Sequence, residues 1–197
     1  MEILTGALYY LSLTAGASMI GGNGVQTVED CNPKNLPLSI SDTSGIARIA
    51  FGMRKEQVGL EVGYGKLGQY HRSVEFTDPG DDTVGEDIDT QALDFRAALY
   101  LGSGTLKPYL FGQAALVFYQ REAWTGHHTV NGVAVTHLTP ATAEQGWQSS
   151  SGTSFGAGGG VGLEWKLSQH VRAIAEYGAL FGEFQAQTLT GGLRWMF

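Results

Sequence analysis

Apolar and polar or small side chains alternate with a period of two along eight segments of the chain. Successive side chains of a strand point to opposite faces, so this alternation predicts strands with one apolar and one polar face. In the first, Leu11, Leu13, Ala15, Ala17 and Met19 oppose Ser12, Thr14, Gly16 and Ser18. The second sets Ala47, Ile49, Phe51 and Met53 against Arg48, Ala50 and Gly52, and the third sets Val58, Leu60, Val62 and Tyr64 against Gly59, Glu61, Gly63 and Gly65. The fourth places Leu93, Phe95, Ala97, Leu99 and Leu101 opposite Asp94, Arg96, Ala98 and Tyr100. The fifth, Tyr109 to Gln120, is apolar on both faces; only Gln113 marks a polar side, so its phase stays open. In the sixth, Phe155, Ala157, Val161, Leu163 and Trp165 oppose Gly156, Gly158, Gly160, Gly162 and Glu164. The seventh sets Val171, Ala173, Ala175 and Tyr177 against Arg172, Ile174, Glu176 and Gly178, and the eighth sets Leu189, Leu193, Trp195 and Phe197 against Thr190, Gly192, Arg194 and Met196.

The connections alternate in length. Short turns fall near Arg54–Gln57, Gly102–Lys107 and Leu167–His170, and longer links over Gly21–Ser44, Thr77–Asp89, Arg121–Gly152 and Gly182–Gln187. This arrangement predicts an all-β fold: an eight-stranded antiparallel up-and-down β-barrel, with residues 1–197 as one domain. A soluble barrel of the lipocalin type would turn its polar face to water, where about a quarter to a third of residues are charged. Here that face is mostly Gly, Ala, Ser and Thr, which suits a narrow interior. The apolar face is therefore expected to meet lipid. Tyr10, Tyr109, Tyr119, Trp165, Tyr177, Trp195 and Phe197 near strand ends are expected to form interfacial belts.

Composition agrees. Charged residues make up 16%, aromatics 11%, and there are 29 glycines, which is unlike a disordered chain. No run of 18 apolar residues offers a transmembrane helix. The net charge of −7 argues against nucleic acid as a partner. Cys31 is the sole cysteine, so no internal disulfide forms; it reads as a loop thiol, with intermolecular pairing as the alternative. Leu4–Ala17 is apolar enough to suggest a secretion signal, but no Lys or Arg precedes Lys34, so it is assigned to strand one, with a native leader expected upstream.

On the inward face this reading collects Arg48, Glu61, Asp94, Arg96, Glu164, Arg172, Glu176 and Arg194. An unpaired buried charge is costly, so these eight are expected to form a connected ion-pair network that plugs and stiffens the barrel; a gated ion path is the sharper alternative.

The chain closes on Thr190, Gly192, Trp195 and Phe197, in the pattern polar-x-Gly-x-x-aromatic-x-aromatic. This resembles the terminal signal of bacterial outer-membrane barrels, which their assembly machinery reads on the last strand. Together with Tyr9–Ala17 and Lys107–Gly112, it makes the chain similar to the small outer-membrane β-barrels related to the membrane domain of OmpA. The resemblance implies a Gram-negative outer membrane, a filled polar interior, and contact with outer-membrane lipid and lipopolysaccharide. Unlike full-length OmpA, this sequence has no peptidoglycan-binding domain after Phe197, so a cell-wall anchoring role is not expected.

Small barrels of this kind include lipid A deacylases and acyltransferases. His71-Arg72-Ser73, with Glu75 beyond, supplies a hydroxyl and a base on one strand face. The stretch lacks the surroundings of the deacylase motif, and catalysis is not expected. His127, His128 and His137 lack an accompanying ligand set, so no metal or cofactor is expected either. The acidic stretch Asp78–Asp89 fails EF-hand spacing and reads as a hydrated loop, with weak divalent-cation bridging to lipopolysaccharide as an alternative. The third loop, bearing Trp124 and Trp147, is the best candidate for contact with a surface partner. The expected role is structural or surface interaction through the loops; a narrow ion or small-solute pore is the alternative, and a lipid A-modifying enzyme ranks last.

Overall fold

Period-two patterning does become strands in a computed structural model, which describes residues 6–22, 38–41, 43–76, 82–126, 128–130, 133–135 and 147–197. The strands are β1 (Leu8–Gly22), β2 (Leu38–Ser41), β3 (Thr43–Lys55), β4 (Val58–Phe76), β5 (Asp82–Tyr100), β6 (Leu106–Gly126), β7 (His128–Val130), β8 (Val133–Val135), β9 (Trp147–Lys166), β10 (Val171–Gly182) and β11 (Phe184–Met196). Eight of them, β1, β3, β4, β5, β6, β9, β10 and β11, pair antiparallel in sequence order, and β1 pairs with β11 to close the cylinder. Closure leaves the wall of the barrel without a free edge. β2 adds to the outer part of β4, and β7 and β8 form a separate hairpin. No helix occurs among the described residues.

The apolar face points outward. Leu13, Ile49, Phe51, Phe95, Leu110, Val161, Leu189 and Leu193 are all exposed, Leu189 at 65%. On β9 the outward apolar run extends from Phe155 to Trp165. At 3.3 Å per residue and a tilt of about 40°, that run covers about 25 Å of height, the thickness of an outer-membrane hydrocarbon band. At the loop end the Tyr64 hydroxyl donates to Gln91, and the Tyr177 hydroxyl donates to Gln187 Oε1 at 3.0 Å. At the turn end Tyr9 stacks on Phe51, 6.1 Å between centroids, with Phe197 beside it. Apolar rings with polar tips suit the two membrane–water interfaces.

Several boundaries differ from the sequence reading. β4, β5, β6 and β9 run well past the lipid-facing band, so Asp82–Asp89, Arg121–Gly126 and Trp147–Gly152 are strand rather than loop. The supposed fourth loop, Gly182–Gln187, shrinks to a bend at Glu183 between β10 and β11. Tyr10 and Tyr109 do not join a belt: both are buried in the lumen, and Tyr119 packs inward against Phe184 at 4.9 Å. Strand phase overrides proximity to a strand end, and these residues share the parity of the inward positions Ser12 and Phe111. Cys31, Asp78, His127 and His137 lie outside the described residues.

Candidate functional site

Several long side chains of the lumen lie over glycines of neighbouring strands. A Cβ on Gly52 would strike the Tyr10 ring, and one on Gly162 would lie 2.6 Å from Tyr109 Cε2. Gly63 leaves space for the Arg48 guanidinium in the same way. The glycines of the polar face thus make room for a layer of tyrosine and arginine.

That layer is continuous. Arg54 Nη1 donates to Glu164 Oε1 at 2.7 Å, and Arg194 Nη1 donates to Glu164 Oε2 at 2.8 Å. Arg194 Nη2 reaches Glu61 Oε2 at 3.4 Å, while Glu61 Oε1 lies 2.6 Å from Arg48 Nη1. Arg48 forks onto Asp94 through Nε (2.7 Å) and Nη2 (2.6 Å). Arg96 lies 3.2 Å from Asp94 and donates to Glu176 Oε2 at 2.9 Å, and the Tyr109 hydroxyl donates to Glu176 Oε1 at 2.6 Å. Arg172 stands further off, 3.9 Å from Glu164. Rings complete the shell: Arg194 lies 4.4 Å from the Tyr10 centroid, Arg54 4.5 Å from Tyr100 and Arg96 4.7 Å from Phe111. With Tyr10 and Tyr109 included, this layer draws on all eight barrel strands.

The structure brings Arg48, Glu61, Asp94, Arg96, Glu164, Arg172, Glu176 and Arg194 into one cluster, and adds Arg54. Sequence reasoning missed Arg54 by assigning it to the turn; β3 continues to Lys55, and Arg54 shares inward parity with Gly52.

Above the charged layer, toward the loops, an apolar cluster crosses the lumen. Ile20 of β1, Tyr70 of β4, Ile88 and Ala92 of β5, Ala115 and Val117 of β6, Leu180 of β10, and Phe184 and Ala186 of β11 are mutually packed, with Leu67 and Tyr119 against them. A cavity of about 50 Å³ separates the two layers, lined among others by Arg48, Asp94, Arg96, Glu176 and Leu180.

The other candidates lie on the outer rim. His71 Nδ1 is 2.6 Å from Asp87 Oδ1, across the β4–β5 pair, so the histidine has an acidic neighbour on the adjacent strand. Ser73 is two residues along the same strand, in register with Gly85. Asp89 accepts from Gln69 Nε2 at 3.0 Å and from Lys66 Nζ at 3.4 Å. No group of three metal-ligating side chains occurs among the described residues. Trp124 and Trp147 stand in register on β6 and β9. At the closing strand, Trp195 and Phe197 are exposed on the apolar face, while Thr190 and Gly192 face the lumen.

Solved structures with this architecture include the Neisserial surface protein A, 16% identical, with a TM-score of 0.55 over 98% of this chain and 99% of that one. The attachment invasion locus protein Ail of Yersinia pestis is 12% identical, with a TM-score of 0.53 over 97% of both chains. OprG, an outer membrane protein of Pseudomonas aeruginosa, is 13% identical, with a TM-score of 0.50 over 97% of this chain and 95% of that one. At such identities the likeness is one of fold. Among curated proteins, none matches the chain. A family model for the outer membrane protein beta-barrel domain matches residues 7–197. Nearly the whole chain satisfies that one model, from the first barrel strand to the closing aromatic, so the protein belongs to the outer membrane β-barrel family and resides in the bacterial outer membrane.

Proposed function

We propose that this barrel is sealed and works at the cell surface, where it holds its outer rim and loops toward partners rather than passing solutes. The observation that supports this most is the apolar cluster of Ile20, Ile88, Val117, Leu180 and Phe184 across the lumen. An ion would have to shed its water to pass it. The charged layer beneath acts as a cross-brace between strands. Two neighbours whose names speak of a surface protein and of attachment fit the same role. In this reading Thr190, Gly192, Trp195 and Phe197 present the closing strand to the barrel assembly machinery, and lipopolysaccharide packs around the outward rim. A narrow pore is the second reading, favoured by the small cavity among Arg48, Asp94, Arg96 and Glu176.

The test is attachment. Cells displaying the barrel, and cells displaying a variant with residues 77–81 and 131–146 replaced by Asn-Gly turns, are compared on surfaces coated with extracellular-matrix protein. Attachment lost by the variant, with the barrel still folded, supports the surface role. Equal attachment together with sugar uptake through the wild type contradicts it.

A further inference from the structure

The excess charge of the lumen lies at its turn end, opposite the rim and loops. On the inward face Arg172 of β10 is in register with Lys166 on one side and with Arg194 on the other. Three cations therefore stand side by side across β9, β10 and β11, and like charges directly opposite one another repel. Lys107 joins them from β6. It is in register with Glu164, two residues from Lys166, and lies within electrostatic reach of Arg54, Arg172 and Lys166. The carboxylate at this level is Glu164, and both its oxygens are taken, Oε1 by Arg54 at 2.7 Å and Oε2 by Arg194 at 2.8 Å. Arg172 is left with a 3.9 Å approach to Glu164 Oε1. Arg172 is only 8% exposed, and its Nε has no hydrogen-bond partner among the described residues. A buried donor without an acceptor is costly, the more so when charged. Neither Lys107 nor Lys166 pairs with a carboxylate among the described residues.

We infer that the turn-end mouth of the lumen binds a phosphate monoester through Arg172, Lys107 and Lys166. The short turns of outer-membrane barrels face the periplasm, so the ligand arrives from that side. Lys166 is exposed, Lys107 half-buried and Arg172 buried, so the donors lead from the water at the turns into the lumen. The planar fork of a guanidinium matches the oxygens of a phosphate, and the two lysines add point charges from two further strands. A phosphate monoester carries up to two negative charges and three acceptor oxygens. It balances a row of cations better than a carboxylate, which brings one charge. Such a group belongs either to a soluble ester or to the headgroup of a phosphatidic acid leaning over the rim. Exposed Trp165 and Leu167 beside Lys166 would keep the acyl chains of such a lipid on the outer face. The site lies at the end of the barrel away from the surface role proposed above and does not depend on it.

The test follows the Arg172 Nε–H resonance of the full chain, refolded in a maltoside detergent that carries no phosphate, during titration with glycerol 3-phosphate. A saturable shift of that resonance is expected, and acetate or chloride at matched ionic strength should leave it in place. Lys107→Gln/Lys166→Gln removes two charges near the water and should weaken binding by about tenfold or more. A heat-shift gel checks that this variant folds. Lys66→Gln, at the loop end where Lys66 faces Asp89, is the control and should bind like wild type. Dihexanoyl phosphatidic acid distinguishes the two sources: tighter binding than glycerol 3-phosphate assigns the site to a lipid headgroup, and equal or weaker binding assigns it to a soluble ester. An Arg172 resonance unmoved by both ligands overturns the inference. So does an equal shift with acetate, or unchanged affinity in the folded lysine variant.

Discussion

Replacing Glu164 with glutamine removes one negative charge at the point where the lumen network is most tightly closed. Glu164 is 1% exposed and accepts from two arginines, Arg54 at 2.7 Å and Arg194 at 2.8 Å, with Arg172 at 3.9 Å. Glutamine keeps the volume but offers one acceptor oxygen where there were two, and an amide that donates toward cations. Each charge-assisted bond is worth about 1.5–3 kcal/mol, and removing one partner of a buried pair typically costs about 3–5 kcal/mol. Glu164→Gln is therefore expected to lower unfolding free energy by about 3–5 kcal/mol, read from urea titration in lipid vesicles. Arg54→Gln should cost less, because Glu164 retains Arg194. The double variant Arg54→Gln/Glu164→Gln should be more stable than the sum of the two losses, by at least about 1 kcal/mol of coupling. Glu183→Gln, at an exposed bend, is the control and should leave the midpoint unchanged. A wild-type midpoint for Glu164→Gln, or strict additivity in the cycle, refutes the idea that these charges brace the barrel.

Three further outcomes follow from the same physics. Gly162→Val would drive a side chain into the Tyr109 ring and free Glu176 from its 2.6 Å donor; a folding yield below a fifth of wild type on a heat-shift gel is expected, and normal yield contradicts the packing. Val161→Lys on the lipid face should cost about 2–4 kcal/mol in vesicles, against about 0–1 kcal/mol for Leu106→Lys near the strand end; equal costs would deny the membrane span. Glu56 holds φ at +55° in the β3–β4 turn, so Glu56→Asn should stabilise by about 0.5–1 kcal/mol, and destabilisation in the urea titration contradicts this.

The barrel wall was legible because the outward and inward faces differ in kind. Phe155, Val161 and Trp165 against Gly156, Gly162 and Glu164 admit only one strand phase. Strand extent was not legible. Once a strand leaves the lipid its outward face becomes polar, so Asp87, Asp89, Gln120 and Glu122 look like loop although the ladder continues through them. The same break in pattern hid the apolar seal. Ile20 continues the inward parity of Ser18, and Leu180 that of Gly178, but the inward face changes there from small and polar to bulky. The open phase of the fifth segment has a similar cause. Tyr109, Phe111 and Val117 face the lumen while Leu110, Leu116 and Phe118 face lipid, so apolarity alone did not separate them. Arg54 and the lumen tyrosines were within reach of parity and were displaced by an expectation about turns and belts.

Whether the lumen is sealed is decided by single-channel recording. Refolded wild-type protein, confirmed by heat shift, is added to a planar lipid bilayer under an applied potential. A silent bilayer is predicted, because the Ile20–Phe184 cluster packs apolar side chains within the lumen above the charged layer. Stable openings whose size changes with Arg48→Ala or Glu61→Ala would rule out a seal and make the lumen charges the lining of a pore.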